Sequence, residues 1–238
     1  MSISSCIDVV EVPEPQYEDF TLTWSFGGNS SIISLCGNNS RVKSTEHWIT
    51  DCSDIFSFNA GGELSNIGLS VPNKNHLIDV KTEKISFGKL VLSCEKIYTI
   101  EPMPMRMFDS LKRKLFCFNE SIASDSCAAF LKLHDDLDII VSNKGYCGYV
   151  INNPLSYFSN ETNGYIDVIN KPDDNEYILM GCFFNIMSDN NVEKYNGDID
   201  RVVVELKEII MPSLNLIRSE FRRDIVKSII QELLDFYC

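Results

Sequence analysis

The clearest pattern in the sequence is an amphipathic repeat close to its C-terminus. Apolar residues recur there in steps of three and four, at Ile199, Val202, Val203, Leu206, Ile210, Leu214, Ile217, Phe221, Ile225, Ile229 and Leu233. That spacing matches the turn of an α-helix with one buried face. Asp198 is suited to cap the helix N-terminus. We therefore expect a helical element over residues 198–237, which Pro212 either kinks or divides into two helices.

Apolar and polar residues alternate over much of the first 151 residues, which is typical of strands with one buried face. Glycine and asparagine interrupt the alternation where the chain has to turn. The predicted hairpins pair residues 20–26 with 32–36 around Gly27-Gly28-Asn29, residues 55–58 with 64–71 around Asn59-Ala60-Gly61-Gly62, and residues 137–141 with 146–151 around Asn143-Lys144-Gly145. Further strands are predicted at residues 85–92 and 97–100.

Other stretches are interpreted from their length and composition. Residues 8–19 contain five acids and two prolines, which predicts an extended leader because proline disfavours helix. Residues 107–118 fit a short helix or a strand. Residues 165–169 are predicted as a strand, and the apolar run 177–184 as a central strand with both faces covered. Residues 188–197 are expected to form a loop.

These elements predict the α+β class and a single domain over residues 1–238. The expected architecture is a mainly antiparallel β-sheet built from successive hairpins and packed against the long C-terminal amphipathic helix. Pro102 and Pro104 make residues 101–105 the best candidate for a boundary between two lobes.

The composition is strongly acidic. The 34 acidic and 21 basic residues give a net charge of −13 and a pI near 4.6. Such a surface repels nucleic-acid phosphates and anionic lipid headgroups within a Debye length, about 8–10 Å at physiological salt. It also attracts basic proteins. We therefore expect a basic protein as partner, and neither a nucleic acid nor a membrane.

The nine cysteines are dispersed along the chain and include no C-x-x-C pair. A disulfide framework or a zinc site would need clustered spacings, so the cysteines indicate buried thiols in a reducing compartment. The N-terminus resembles no secretory signal, and no apolar run is long enough to span a membrane. The expected location is the cytoplasm.

One candidate metal site consists of His134, Asp135, Asp136 and Asp138, because imidazole and carboxylate groups both bind divalent ions. Neighbouring residues of a strand point to opposite faces, however, so the cluster needs ligands from elsewhere. The alternative is a solvated acidic turn before a strand. We favour that alternative and expect no metal.

A second candidate is Pro172-Asp173 followed by Glu205-Leu206-Lys207, which resembles the pattern of PD-(D/E)xK nucleases. The resemblance implies that Asp173 and Glu205 bind Mg²⁺, and that Lys207 assists the water that attacks a phosphodiester. It also implies that residues 202–204 form a strand. The helical repeat predicts the opposite, because two residues of a helix separated by one position lie about 200° apart.

Nucleophile elbows, phosphate-binding loops and dinucleotide-binding motifs are absent from the sequence. We therefore favour a protein that is not an enzyme and has no cofactor. An adaptor or structural subunit is a further possibility, which predicts an exposed apolar patch and stable oligomers.

Acidic loops are the most informative surface feature. They are predicted to bind the partner through Asp135, Asp136 and Asp138, through Asp173, Asp174 and Glu176, and through Asp189 and Glu193. If the three loops lie on one face, these carboxylates form a negative patch that steers a basic protein electrostatically. In this the chain resembles bacterial immunity proteins and antitoxins, which are small, acidic and cytoplasmic. The leading hypothesis is an acidic binding protein that neutralises a basic protein.

Overall fold

A computed structural model describes residues 2–4, 6–27, 31–37, 53–78, 85–92, 98–124, 129–143, 145–160, 164–194 and 199–237. The predicted cap at Asp198 and the turn residues Gly28, Asn29 and Lys144 lie outside these ranges, as does the side chain of Glu193.

Within the described ranges the chain forms two β-sheets and a helical layer. The strands are β1 Ser2–Ser4, β2 Ile7–Val12, β3 Thr21–Ser25, β4 Ile32–Cys36, β5 Asp54–Phe58, β6 Leu64–Ser70, β7 Ile85–Leu92, β8 Tyr98–Ile100, β9 Met105–Asp109, β10 Lys114–Phe118, β11 Ala129–His134, β12 Leu137–Ser142, β13 Gly145–Asn152 and β14 Phe158–Ser159. The larger sheet has the order β1-β2-β7-β11-β12-β13-β10-β9, and the smaller sheet has the order β14-β3-β4-β6-β5-β8.

The α+β class is confirmed, but the sheets are mixed rather than purely antiparallel. The three predicted hairpins form as β3–β4, β5–β6 and β12–β13. Strand β7 pairs in parallel with β11, and β3 pairs in parallel with β14. Three strands lie between β7 and β11 along the chain, so these two neighbours come together through tertiary packing and not through a turn.

The stretch 107–118 is resolved as strand, since β9 and β10 form a hairpin. Arg113, which precedes β10, has a positive φ of 53°. Residues 101–104 connect β8 of the smaller sheet to β9 of the larger sheet. These residues are one of several connections at which the chain passes from one sheet to the other.

The expected leader is not a free extended segment. Its first half is β2, which pairs with β7 and buries Ile7 and Val9. Further along, Tyr17 is buried, and its hydroxyl oxygen accepts a hydrogen bond from the Leu90 N–H at 2.9 Å. The alternation of apolar residues over 7–12 is the local signal that the prolines obscured.

Residues 177–184 are helical, so the predicted central strand is wrong. They belong to α2 (Asp174–Ile186), which follows the short helix α1 (Ser121–Ser124). The Asp173 carboxylate caps α2 by accepting from the N–H groups of Asn175 and Glu176. Residues 188–197 are not wholly a loop, since α3 (Asp189–Lys194) lies within them.

Residues 165–169 are a loop rather than the predicted strand, because their pairing is limited to an isolated bridge between Ile166 and Ser159.

The C-terminal element is split, and the split is not at Pro212. Helix α4 (Ile199–Glu205) continues through a π-helical turn (Leu206–Ile210) into α5 (Met211–Ser213) and a 3₁₀ turn (Leu214–Leu216). The Ser213 hydroxyl donates to the Ile209 carbonyl at 2.7 Å, and the Met211 N–H bonds to Leu206 five residues back. Pro212 has no backbone N–H, and these two bonds compensate for the helical hydrogen bond that it cannot donate. The chain leaves the helical conformation at Ile217, where ψ is 113°, and α6 (Glu220–Tyr237) follows.

One large core joins the inner faces of both sheets to the helices. An aromatic cluster connects these layers. The ring centroid of Trp24 lies 4.9 Å from that of Phe158 and 6.0 Å from that of Phe184, and the ring centroids of Phe108 and Phe184 are 5.0 Å apart. Helix α2 contacts β9, and α6 contacts β14, so the helices lie against an edge strand of each sheet. A smaller apolar cluster lies on the outer face of the larger sheet. Within the described residues, no helix is long and apolar enough to cross a membrane.

Candidate functional site

Two of the three predicted acidic clusters meet at one end of the molecule. The β11–β12 turn carries Asp135 and Asp136, and the N-terminus of α2 carries Asp174. Asn153 connects them, since its side-chain amide donates to Asp136 at 3.3 Å and its N–H donates to the Arg113 carbonyl at 2.8 Å. The Arg113 guanidinium in turn binds Asp174 at 2.7 Å. We call this end, built from the β9–β10 and β11–β12 turns and the start of α2, the polar end.

Most carboxylates of the polar end already have partners. Asp136 accepts a 2.6 Å hydrogen bond from the Tyr157 hydroxyl, and Asp173 pairs with Arg218 at 2.8 Å in addition to capping α2. Asp174 is paired with Arg113, while Asp135 is exposed. The basic side chains cancel much of the negative potential there. The polar end is therefore a weaker attractor of cations than its aspartates alone suggest.

Asp138 does not reach the surface. Its side chain lies on the outer face of the larger sheet, 3.9 Å from the Lys132 ammonium, and accepts from the Asn152 amide at 3.4 Å. It is 5% exposed, and burial raises the pKa of Asp138 against the opposing effect of Lys132. A docking protein cannot contact this carboxylate in the present arrangement.

Glu176 is also buried, at 1% exposure, and forms an ion pair with Arg222. The Arg222 Nε and Nη2 atoms donate to the carboxylate at 3.0 and 2.9 Å, and the Arg218 N–H adds a bond of 3.1 Å. Arg222 Nη1 also donates to the Asn170 carbonyl at 2.6 Å. Glu176 therefore holds α2, α6 and the loop before α2 together, and is a structural residue.

The third acidic cluster lies elsewhere. Asp189 follows the C-terminus of α2, and its N–H donates to the Asn73 carbonyl at 3.2 Å. The length of α2, about 20 Å for thirteen residues, separates Asp189 from the polar end. Asp189 is exposed but is not part of one continuous patch with Asp135.

The residues proposed as a metal site serve the β11–β12 turn. His134 Nδ1 accepts the Asp136 N–H at 3.3 Å, and the ring packs edge-on against Tyr157. Burial lowers the pKa of His134, while Asp135 and Asp136 oppose the shift. Within the described part of the chain, no group of three histidine, cysteine, aspartate or glutamate residues could hold a metal ion.

Glu205 and Lys207 do not lie on a strand, which the resemblance to nucleases implied. Glu205 is the last residue of α4 and forms an ion pair with Arg201 at 3.5 Å, and Lys207 lies in the π-helical turn that follows. In a helix the two side chains point in nearly opposite directions. Asp173 is held by Arg218, as described above.

The N-terminal region carries acidic residues that the sequence-based site did not include. Over residues 8–19, which we call the acidic segment, five carboxylates are exposed: Asp8, Glu11, Glu14, Glu18 and Asp19. In the described part of the chain, no basic side chain pairs with Asp8, Glu14, Glu18 or Asp19. Strand β2 and the buried Tyr17 fix the course of this segment. The run of acids was visible in the sequence, but its anchoring was not.

No protein-family model, curated protein or solved structure matches this chain.

Proposed function

We propose that this protein is an acidic, cytoplasmic binding protein that neutralises a basic protein partner, in the manner of immunity proteins and antitoxins. The acidic segment is the primary contact surface. The observation that carries the proposal is that Asp8, Glu14, Glu18 and Asp19 are exposed and lack basic partners in the described residues, on a backbone held by a strand and a buried tyrosine.

The contrast with the polar end supports this choice. There Arg113 and Arg218 satisfy Asp174 and Asp173, so a partner has to displace existing ion pairs to bind them. Along the acidic segment the carboxylates of Asp8, Glu14, Glu18 and Asp19 are available without that loss. Because the backbone is already ordered, binding loses less conformational entropy than it would if a free tail had to become ordered.

Electrostatics make the acidic segment suited to rapid capture. A cluster of like charges raises the local concentration of an oppositely charged protein and increases association rates by about 10- to 1,000-fold at low salt. The exposed Asp135 and Asp189 can add contacts if the partner is large. The absence of disulfides at Cys36, Cys117, Cys147 and Cys182 supports a reducing compartment.

Charge reversal tests the proposal. The triple variant Glu14→Lys, Glu18→Lys, Asp19→Lys changes three exposed residues of the acidic segment. A control variant of identical net charge reverses three exposed acids on the C-terminal helices, namely Glu208→Lys, Glu232→Lys and Asp235→Lys. Tagged forms of both variants and of the parent chain are purified from source cells, and co-purifying basic proteins are identified and produced separately.

We expect the parent chain and the control to bind the same basic protein, and the segment variant to associate at least tenfold more slowly at low salt. Added salt should narrow the difference because it screens exposed charges. Equal association rates for the two variants would contradict the proposal, as would the absence of any basic protein from the parent preparation.

A further inference from the structure

A buried carboxyl group connects the two sheets. Asp54, the first residue of β5, is fully buried, and its Oδ2 accepts a hydrogen bond from the Tyr146 hydroxyl of β13 at 2.9 Å. Its Oδ1 accepts from the N–H of Ser70, the last residue of β6, at 2.8 Å. One carboxyl group therefore links the smaller sheet to the larger one. We call Asp54, Ser70 and Tyr146 the inter-sheet joint.

Two further contacts connect the sheets beside the joint. The Tyr149 hydroxyl of β13 donates to the Ser70 carbonyl at 2.8 Å. The Phe56 ring of β5 packs edge-on against Tyr146, with the ring centroids 5.8 Å apart. All three residues of the joint lie at or next to the end of a strand. Water can therefore reach the joint when these strand ends separate, while the sheets themselves stay intact.

Both donors to Asp54 are neutral groups. In the part of the chain that the structure describes, no basic side chain pairs with this carboxyl group. A buried carboxylate without a cation is costly, so burial favours the protonated form. Burial raises the pKa of Asp54 from 3.8 to about 7, against the opposing effect of the bonds from Ser70 and Tyr146. Asp54 therefore changes its charge in the neutral range.

The other titratable groups around the joint stay neutral in that range. Burial holds the pKa values of Tyr146 and Tyr149 well above the ordinary value, and it raises the pKa of Cys117 of β10 to about 12. The charge of Asp54 acts on all three in the same direction. None of these groups can supply a charge that compensates an ionised Asp54.

Arg106 of β9 pairs across the larger sheet with Cys117 and is a buried cation of the same core. Its guanidinium donates to the Asn75 side chain at 2.9 Å and lies over the Phe184 ring, 4.5 Å from the centroid. Burial lowers the pKa of Arg106 to about 10, so it stays charged at neutral pH. Arg106 thus contributes a constant field and forms no ion pair with Asp54.

We propose that the inter-sheet joint is a pH-sensitive switch, which is closed while Asp54 is protonated and which opens to water as Asp54 ionises. Water stabilises the ionised carboxylate, and the closed joint excludes water, so ionisation favours the open state. Opening frees the ends of β5 and β6 from β13 and leaves the rest of the core closed. The inference does not depend on the acidic segment or on the proposed partner.

Amide hydrogen exchange at Ser70 tests the proposal, because this N–H donates to Asp54 in the closed joint. Exchange rates of the full chain are measured by NMR from pH 5 to pH 9 for the parent, for Asp54→Asn and for Asp138→Asn. Asparagine keeps an acceptor for the Ser70 N–H but cannot ionise. Asp138 is the matched control, since it is also a buried acid, but its partners Lys132 and Asn152 lie in the larger sheet.

The ratio of the parent rate to the Asp54→Asn rate at each pH removes the intrinsic pH dependence of exchange. If the open joint restores the ordinary pKa of Asp54, this ratio should rise about 50-fold between pH 5 and pH 7 and level off above pH 7. The Asp138→Asn chain should show the same rise as the parent. Tyr146→Phe removes a donor that stabilises the ionised form, so the levelling should move to higher pH. A role of Tyr146 in packing alone would leave it in place.

A ratio that does not change with pH overturns the proposal. A free energy of opening at Ser70 that equals the free energy of global unfolding at every pH also overturns it, because the joint then opens only when the whole protein unfolds. The carboxyl carbon shift of Asp54 gives its pKa directly in the parent chain, whether or not Asp54→Asn folds. Titration of that carbon at the ordinary pKa of an aspartate is the third result that overturns the proposal.

Discussion

The buried Glu176–Arg222 pair gives the sharpest prediction about stability. Both side chains are 2% exposed, and Arg222 holds Glu176 through bonds of 3.0 and 2.9 Å. Changing Glu176 to alanine leaves the guanidinium buried with the Asn170 carbonyl as its remaining partner. Leaving a buried charge unpaired costs about 3–5 kcal/mol. The same change removes the acceptor for the Arg218 N–H.

The expected loss of stability is large for a protein of this size. Domains of 150–250 residues lose about 2–4 °C in melting temperature for each kcal/mol, so Glu176→Ala should lower it by about 6–20 °C. The free energy of unfolding is measured by urea titration, with melting followed by circular dichroism. The matched control is Asp174→Asn, which breaks the Arg113 pair at an aspartate whose side chain is 80% exposed. That change should cost less than about 1 kcal/mol.

A double variant separates loss of pairing from loss of packing. Replacing both residues with apolar side chains, as Glu176→Leu, Arg222→Met, removes both charges together. Such replacements of buried ion pairs are often neutral or stabilising, so the double variant should be more stable than Glu176→Ala. The reasoning is refuted if Glu176→Ala costs no more than Asp174→Asn, or if the double variant is the least stable of the set.

Three further predictions concern pH, backbone space and the C-terminal helices. Burial raises the pKa of Asp54 from 3.8 to about 7, so the native state keeps a proton that the unfolded chain loses above pH 4. The free energy of unfolding should therefore fall by about 3 kcal/mol between pH 4 and 7, and Asp54→Asn should remove that fall in urea titrations; an unchanged dependence of the unfolding free energy on pH in the variant contradicts it. Gly148→Ala places a Cβ 2.3 Å from the Cys117 carbonyl oxygen and should prevent soluble expression. At Gly164 an added Cβ has no atom within 4 Å, so Gly164→Ala should lower the free energy of unfolding by only about 1–2 kcal/mol. Equal yields of soluble protein from the two variants contradict this. Truncation after Asn196 exposes the core beneath the last helices and should give insoluble protein on fractionation; a soluble, cooperatively melting fragment contradicts it.

Much of the local structure could be read from residue periodicity. Turn residues and alternating side chains identified the β3–β4, β5–β6 and β12–β13 hairpins, because these elements depend on contacts between neighbours in sequence. The three- and four-residue repeat identified the C-terminal helices, and Val202, Leu206, Ile210 and Leu233 of that repeat are buried. The break after Leu216 has no proline or glycine to mark it, so the sequence pointed to Pro212 instead.

Residues 177–184 show how an apolar run can mislead. A strand or a helix buried on both sides has the same composition, so periodicity alone could not separate them. The distinguishing signal lay just upstream, where Asp173 and Glu176 have the spacing of a capping box before an apolar stretch. Because both residues are acidic, the sequence indicated a loop that binds a partner. In the structure Asp173 caps α2 and Glu176 pairs with Arg222.

By itself, the sequence determined the acidic character of the protein, its local hairpins and its amphipathic C-terminus. Only the tertiary structure decided which carboxylates are available to a partner. Asp173 and Asp174 are paired with arginines distant in sequence, Glu176 is buried, and Glu14 and Glu18 are exposed on an anchored segment. The physical reason is that a charge attracts a partner according to its burial and to the opposite charges around it. Both depend on packing between residues far apart in the chain.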